Sequence, residues 1–326
     1  MKKCLTILPC IMAFFCSAGA QNSQTSFQFL EIPSSAHVSA LGGTAVSLPE
    51  SDPTLTVTNP ASLSGTASRK FGVTGTDWLQ GTVVAGGQFS TPFKERSSYQ
   101  VSAHLANYGT MKSTTSDGTE TGTFKAKDFS IGITYAYMLS DNWSGGVTGH
   151  LICSRYSYRQ AVAVGADLGL RYSDPDDRFT AGLAATGLGG QVKAFEDTFE
   201  KMPFNLSAGI TVKLEHAPLR FTFTADKLTH WRQDYFYSPD GSGLSTADII
   251  RRHISFGTDF LISDNIWIAA GCNLMNRSEL AGTGRKGMTG ITTGAGIELG
   301  KVSLGVSYGK FQVATSSLIC NIAYSL

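Results

Sequence analysis

Three places in the 326-residue chain hold residue types that do chemistry. The stretch GTGRKG, Gly282 to Gly287, has the glycine and lysine content of a phosphate-cradling loop. Such a loop needs a following helix whose N-terminus receives the phosphate, and none follows here. DPDD, Asp174 to Asp177, offers carboxylates for a hard cation without the ligand spacing of a calcium loop, and a solvated turn accounts for it. His104, His150, Asp167, Arg171, Arg220, Asp226, Asp259 and Glu298 are titratable or charged residues set singly in segments of apolar and small residues. No Ser, His and Asp set is picked out by spacing, so no hydrolytic triad is assigned. No pattern calls for a cofactor or a resident metal, and the expectation is a protein that is not an enzyme.

The elements that carry those residues are strands. Apolar residues alternate with polar or tiny ones again and again from Arg69 to Leu326, the period-two pattern of a strand with two different faces. In FSIGITYAY one face is Phe129, Ile131, Ile133, Tyr135 and Tyr137, and the other is Ser130, Gly132, Thr134 and Ala136. In FNLSAGITVKL the faces are Phe204, Leu206, Ala208, Ile210, Val212 and Leu214 against Asn205, Ser207, Gly209, Thr211 and Lys213. A soluble sandwich also alternates, but its outer face carries Lys, Glu and Arg. Here the second face is Ser, Thr, Gly and Asn, which suits the lumen of an outer-membrane barrel whose other face meets lipid. Charged residues are 16% of the chain, below the roughly 25% of soluble proteins.

Fourteen strands are counted, centred near residues 73, 85, 102, 132, 148, 167, 183, 209, 223, 257, 271, 294, 305 and 321. The even connections are brief: 139–143, 173–178, 215–218, 262–267 and 300–301. The odd ones include the long ones: 107–127, 187–203, 230–253 and 275–289. Short turns on one rim and long loops on the other are the asymmetry of bacterial barrels, which a sandwich has no reason to obey. Trp143 and Trp267 follow matching SDN turns and are expected at the inner interface as aromatic girdle residues. The terminal LICNIAYSL places Leu318, Cys320, Ile322, Tyr324 and Leu326 on one face, like an outer-membrane insertion signal. His104 and the seven other charged residues then read as lumen-facing. They form either a structural network or a polar, proton-linked route.

The first twenty residues, with Lys2, Lys3, an apolar stretch and AGA before Gln21, have the plan of a secretory signal peptide. Its removal takes the basic residues from 26 to 24 against 25 acidic, a formal charge of −1 that points to no nucleic acid. Cys153, Cys272 and Cys320 remain, an odd count that argues against a disulfide framework. All three fall on apolar faces and read as small lipid-facing residues. The domain reading is 1–20 signal peptide, 21–68 N-terminal plug or hatch, and 69–326 outer-membrane barrel. A barrel of roughly eight strands is filled by its own side chains and one of roughly sixteen leaves a channel, so fourteen leaves a lumen to fill. In the segment placed to fill it, Gly42 and Gly43 permit tight turns, and Asn59, Pro60 and Ala61 set a bend.

FLEIPSSAHVSALGGTAVSL, Phe29 to Leu48, followed by NPASL, Asn59 to Leu63, resembles the N-terminus of the PorV and PorQ family of the type IX secretion system, found in the Bacteroidetes. These are outer-membrane barrels of the FadL long-chain fatty acid transporter type. The resemblance implies an all-β, 14-stranded antiparallel transmembrane barrel with an N-terminal hatch in which Asn59, Pro60 and Ala61 match the hatch motif. It also implies a scaffold role in the cell-surface attachment complex, with partners of the PorZ, PorU and PorV type and outer-membrane lipids. The alternative function is transport of hydrophobic small molecules. For partner binding the candidate is the fifth long-side loop: Trp231, Tyr235, Phe236 and Tyr237, then a short helix capped by Ser245 or Thr246 that carries Ile249, Arg251 and Arg252. The same aromatics would also suit an outer girdle.

Overall fold

The computed structural model describes residues 25–65, 68–115, 117–196, 199–238, 243–279, 288–311 and 315–326. The expected signal peptide and GTGRKG lie outside the described residues. The period-two segments form β1 (Lys70–Asp77), β2 (Val83–Phe93), β3 (Ser97–Thr114), β4 (Glu120–Met138), β5 (Trp143–Tyr156), β6 (Arg159–Ser173) and β7 (Phe179–Lys193). They continue as β8 (Asn205–Lys213), β9 (Leu219–Ala225), β10 (Ile254–Ser263), β11 (Ile266–Asn273), β12 (Ile291–Leu299), β13 (Val302–Gly309) and β14 (Ser317–Ser325). Each strand pairs with its chain neighbours, and β1 pairs antiparallel with β14, so the sheet closes without an edge. Closure is what a bilayer demands of strands, because lipid offers no partner to an open edge.

Alternation sorts the side chains as the sequence implies. Phe129, Ile131, Ile133 and Tyr137 are exposed on the outside of β4, Ile133 at 60%, whereas Ser130, Thr134 and Ala136 are buried inside. β14 presents Leu318, Cys320, Ile322 and Tyr324 outward and buries Ile319, Asn321 and Ala323. Cys153, Cys272 and Cys320 are free and outward-facing by register. The aspartates of DPDD form the β6–β7 turn, where the Asp177 N–H donates to Asp174 O (2.9 Å).

The connections keep their parity with one change. The stretch 107–127 is not a long loop: β3 and β4 continue through it as far as Thr114 and Glu120. Its threonines favour extended backbone, and Asp117-Gly118 makes the turn, Gly118 having a positive φ of 84°. Trp143 lies outward at the short-turn rim, edge-on to Tyr172 at 5.2 Å, as a girdle residue does. Trp267 does not. The alternation of β11 itself puts it on the inward face with buried Ala269, while Ile268 faces out, and its ring stacks on His37 at 3.9 Å and 10°.

The apolar core lies within the lumen. Phe27, Phe29 and Met202 pack against inward Val84, Ala106, Ile152, Ala161 and Ala163. Val38, Ala40, Leu41, Ala45, Leu48 and Leu55 pack with Ala269 and Trp267. Residues 25–65 thus contribute buried side chains that the barrel interior surrounds.

Candidate functional site

The N-terminal segment turns sharply where its glycines stand. Helix α1 (Ala36–Ala40) is capped by Ser35, whose Oγ accepts from the Val38 N–H, and it ends at Gly42 and Gly43 with φ of 98° and 89°. Only such backbone lets the Gly43 N–H return to Val38 O (2.9 Å). Asn59 then caps the 3-10 turn Pro60–Leu63, its Oδ1 accepting from the Ala61 N–H at 3.0 Å. Its amide donates to Val46 O (2.8 Å) and to Leu170 O of β6 (3.3 Å), so a fully buried Asn has its donors used.

Both motifs rest on glycines of the wall. A Cβ built at Gly271 would overlap the backbone of Leu41 and Gly42, and one at Gly257 would lie 2.5 Å from Leu41. On the other side of the lumen, Cβ atoms at Gly146, Gly169 and Gly182 would overlap Pro60, Asn59 and Val46 O. The sequence reading gave no role to these wall glycines, because their use depends on what lies across the lumen.

Hydrogen bonds from the wall reach the segment around the barrel. Thr74 of β1 donates to Ser34 O (2.8 Å), Gln100 of β3 to Pro53 O (3.0 Å), and Thr180 of β7 to Ser47 O (2.5 Å). Thr211 of β8 bonds Ser47 (2.8 Å), Thr292 of β12 donates to Ala40 O (2.8 Å), and Asn321 of β14 donates to Ser34 O (2.8 Å). Arg171, one of the expected lumen charges, reaches Leu48 O (3.4 Å).

The densest contact is ionic. Arg220 of β9 holds Asp259 of β10 (Nε to Oδ2, 2.7 Å) and Glu50 of the segment (Nη1 to Oε1, 2.5 Å). His37 donates through Nε2 to the other oxygen of Asp259 (2.8 Å). Arg220, Asp259 and His37 are buried at 5%, 0% and 6% exposure. Burial alone would raise the Glu50 carboxyl, but Arg220 and His37 outweigh it and hold it below the usual range. Asp52 goes the other way: burial raises its carboxyl beyond what the Thr54 N–H and Lys70 offset. Sequence reading found Arg220 and Asp259 and missed His37 and Glu50, which sit in a segment with no periodicity to assign a direction.

The remaining lumen charges lie elsewhere. His150 bonds Asp167 (2.6 Å), whose other oxygen accepts the Gly187 N–H (2.8 Å). Asp226 accepts from Asn205 (2.8 Å) and Ser207 (2.6 Å). His104 faces the lumen above Gly86. Glu298 is inward by register but exposed, beside the turn between β12 and β13. These groups are not gathered around one reacting position, and no cluster suited to a metal occurs among the described residues.

Above the segment, on the long-loop side, lies a cavity of about 1190 Å³. Phe27, Phe29, Val84, Phe195, Met202 and Phe311 give it apolar wall, and His104, His150, Lys227 and Arg252 give it polar wall. The β9–β10 loop stands at its mouth with α2 (Thr246–Arg252), capped by Ser245, and α3 (Leu274–Glu279). Phe236, Ile249 and Arg252 are turned inward: Arg252 donates to Tyr237 O (2.6 Å) and pairs with Glu279 (3.3 Å). Trp231, Tyr235 and Tyr237 are exposed, Tyr237 at 62%, as is Arg251, which pairs with Asp248 (3.0 Å).

A closed antiparallel barrel of fourteen strands with a lipid-facing apolar belt is an outer-membrane protein, and its architecture is FadL-like. Similar solved structures are the toluene transporter TodX of Pseudomonas putida (TM-score 0.57, 13% identity, 88% of this chain and 96% of that one). Others are the toluene transporter TbuX of Ralstonia pickettii (0.56, 14%, 91% and 98%) and the monoaromatic hydrocarbon channel CymD (0.59, 13%, 92% and 99%). At these identities the likeness is one of fold. No family model and no curated protein matches the chain.

Proposed function

We propose that this protein is a plugged, non-enzymatic outer-membrane scaffold of the type IX secretion attachment complex. The observation that carries the reading is the way residues 34–64 are held. They are bonded to strands around the barrel, seated on wall glycines at both motifs, and pinned by buried Arg220. A segment so fastened suits an anchor, and of the motif residues of the family resemblance Gly42, Asn59, Pro60 and Ala61 lie against the wall glycines, beside Leu41 and Val46, while Gly43 makes the turn. The exposed aromatics Trp231, Tyr235 and Tyr237 then serve surface partners of the PorZ, PorU and PorV type.

A second reading, transport of hydrophobic small molecules, is favoured by the cavity and by the structural neighbours, which support it more directly than they support the first. The apolar side of the cavity reaches the seam between β7 and β8, where pairing ends at Thr186 and Asn205. Affinity capture from native membranes separates the two. Copurifying sortase-like and surface proteins, released when Tyr235 to Ile250 is deleted from a still-inserted barrel, support the scaffold. Bound lipid or fatty acid with no protein partner overturns it in favour of transport.

A further inference from the structure

The outer face of β4 changes character over one residue pair. Tyr137, Tyr135, Ile133, Ile131 and Phe129 follow one another up the lipid side, and the next two outward residues are Lys127 and Lys125. At about 3.3 Å per residue and a tilt of about 40°, the run from Tyr137 to Phe129 rises roughly 20 Å of an apolar band about 25 Å tall. Lys127 therefore stands at the long-loop edge of the hydrocarbon, the outer-leaflet side, and Lys125 stands among headgroups.

Lys127 is directly opposite Arg155 of β5, and the flanking residues in that row, Asn107 of β3 and Gln160 of β6, are uncharged. The row beneath is Leu105, Phe129, Cys153 and Val162. Like charges directly opposite on one sheet face repel, and a neighbouring acid would offset that repulsion. Here the nearby acids are otherwise engaged. Asp128 points into the lumen and accepts from the Tyr108 hydroxyl (2.5 Å), and Glu120 pairs with Lys112 (2.5 Å). Lys125, Lys127 and Arg155 are exposed and have no side-chain partner among the described residues.

We propose that Lys125, Lys127 and Arg155 bind the phosphorylated headgroup of an outer-leaflet glycolipid, whose acyl chains lie on Leu105, Phe129 and Cys153. The charge is complementary, and charge-assisted bonds to one phosphate would relieve the repulsion between Lys127 and Arg155. The position, at the top of an apolar belt, supplies the chain contacts that a free anion lacks. The site depends on the outer-membrane fold and is independent of whether the protein is a scaffold or a transporter.

The test is native mass spectrometry of the full chain in phosphatidylcholine nanodiscs, titrated with diphosphoryl lipid A and, separately, with inorganic phosphate. The wild type is expected to bind lipid A. The triple variant Lys125→Gln, Lys127→Gln, Arg155→Gln is expected to bind about one hundredfold more weakly, from the contribution of each basic residue near an anionic surface. Lys127→Arg keeps the affinity. Lys94→Gln, Arg96→Gln, Lys213→Gln at the opposite rim leaves it unchanged, and heat-modifiable mobility checks that each barrel is folded. Equal binding by the triple variant, or an equal loss in the opposite-rim variant, overturns the proposal. So does displacement of lipid A by an equimolar amount of inorganic phosphate.

Discussion

Asn59 of the N-terminal segment sits so close to Gly169 of β6 that a Cβ on the glycine would overlap the asparagine Oδ1. The same Oδ1 caps the turn at Ala61, and the amide reaches across to Leu170 O. Gly169→Val is therefore expected to unseat the segment without changing any residue in it. Asn59→Ala removes the cap and leaves buried carbonyls unpaired, at a cost of about 1–3 kcal/mol. Limited proteolysis of the folded barrel, read at the segment, checks both. Unchanged protection in Gly169→Val would show that the contact is not a seat.

Arg220 stands between two carboxylates, so its loss and theirs are not equivalent. Arg220→Ala leaves Asp259 and Glu50 without the guanidinium that bridges them, with only His37 between, and is expected to destabilise by about 3–5 kcal/mol. Pairing it with Asp259→Asn and Glu50→Gln, which removes the orphaned charges, is expected to recover much of that loss. Thermal unfolding in detergent measures both, and equal destabilisation would argue against a charge effect.

The Glu50 carboxyl is held below its ordinary value, so the sign of its pH dependence is fixed. Its contribution is fully present above the ordinary carboxylate value of about 4 and is lost as pH falls through the depressed folded value. Hydrogen exchange of α1 should accelerate below that point in the wild type, after correction for the intrinsic rate. Glu50→Gln should remove this component. An identical acid profile in the variant would sink the assignment.

Thr25 bridges to Lys201, which bridges in turn to Gly190, beyond the point where β7 leaves β8, whereas Lys70 at the short-turn rim donates to Ser51 O (2.9 Å). The segment thus runs from the outer half of the lumen to the inner rim. With Cys153, Cys272 and Cys320 replaced by Ala, a membrane-impermeant thiol reagent on intact cells should label a cysteine at Thr25 and spare one at Ser51. The reverse pattern would invert the orientation of the barrel.

On the lipid side, Ile133 tests the belt itself. Ile133→Lys places a charge near mid-depth and is expected to cost about 2–4 kcal/mol, whereas Thr134→Lys would act on the lumen and its packing instead. Reversible unfolding in vesicles measures the first, and a negligible effect would count against the membrane face.

What the chain determines by itself is the barrel, because a period of two is a property of consecutive residues. Ile131, Gly132 and Ile133 declare their faces without reference to anything distant, and the parity of the turns follows from segment lengths. Trp267 shows where reading by local motif stops: its SDN turn matches that of Trp143, yet the period it shares with Ala269 faces it into the lumen, where it stacks on His37. The stretch 107–127 stops it differently, since paired partners let a polar, threonine-rich sequence continue as strand. Only the tertiary structure decided that Glu50 completes a buried cluster with Arg220, and that Gly146, Gly169 and Gly182 make room for the Asn-Pro-Ala turn and its neighbour Val46. Those contacts join residues more than eighty positions apart, and their energies depend on closure of the wall, which no local pattern carries.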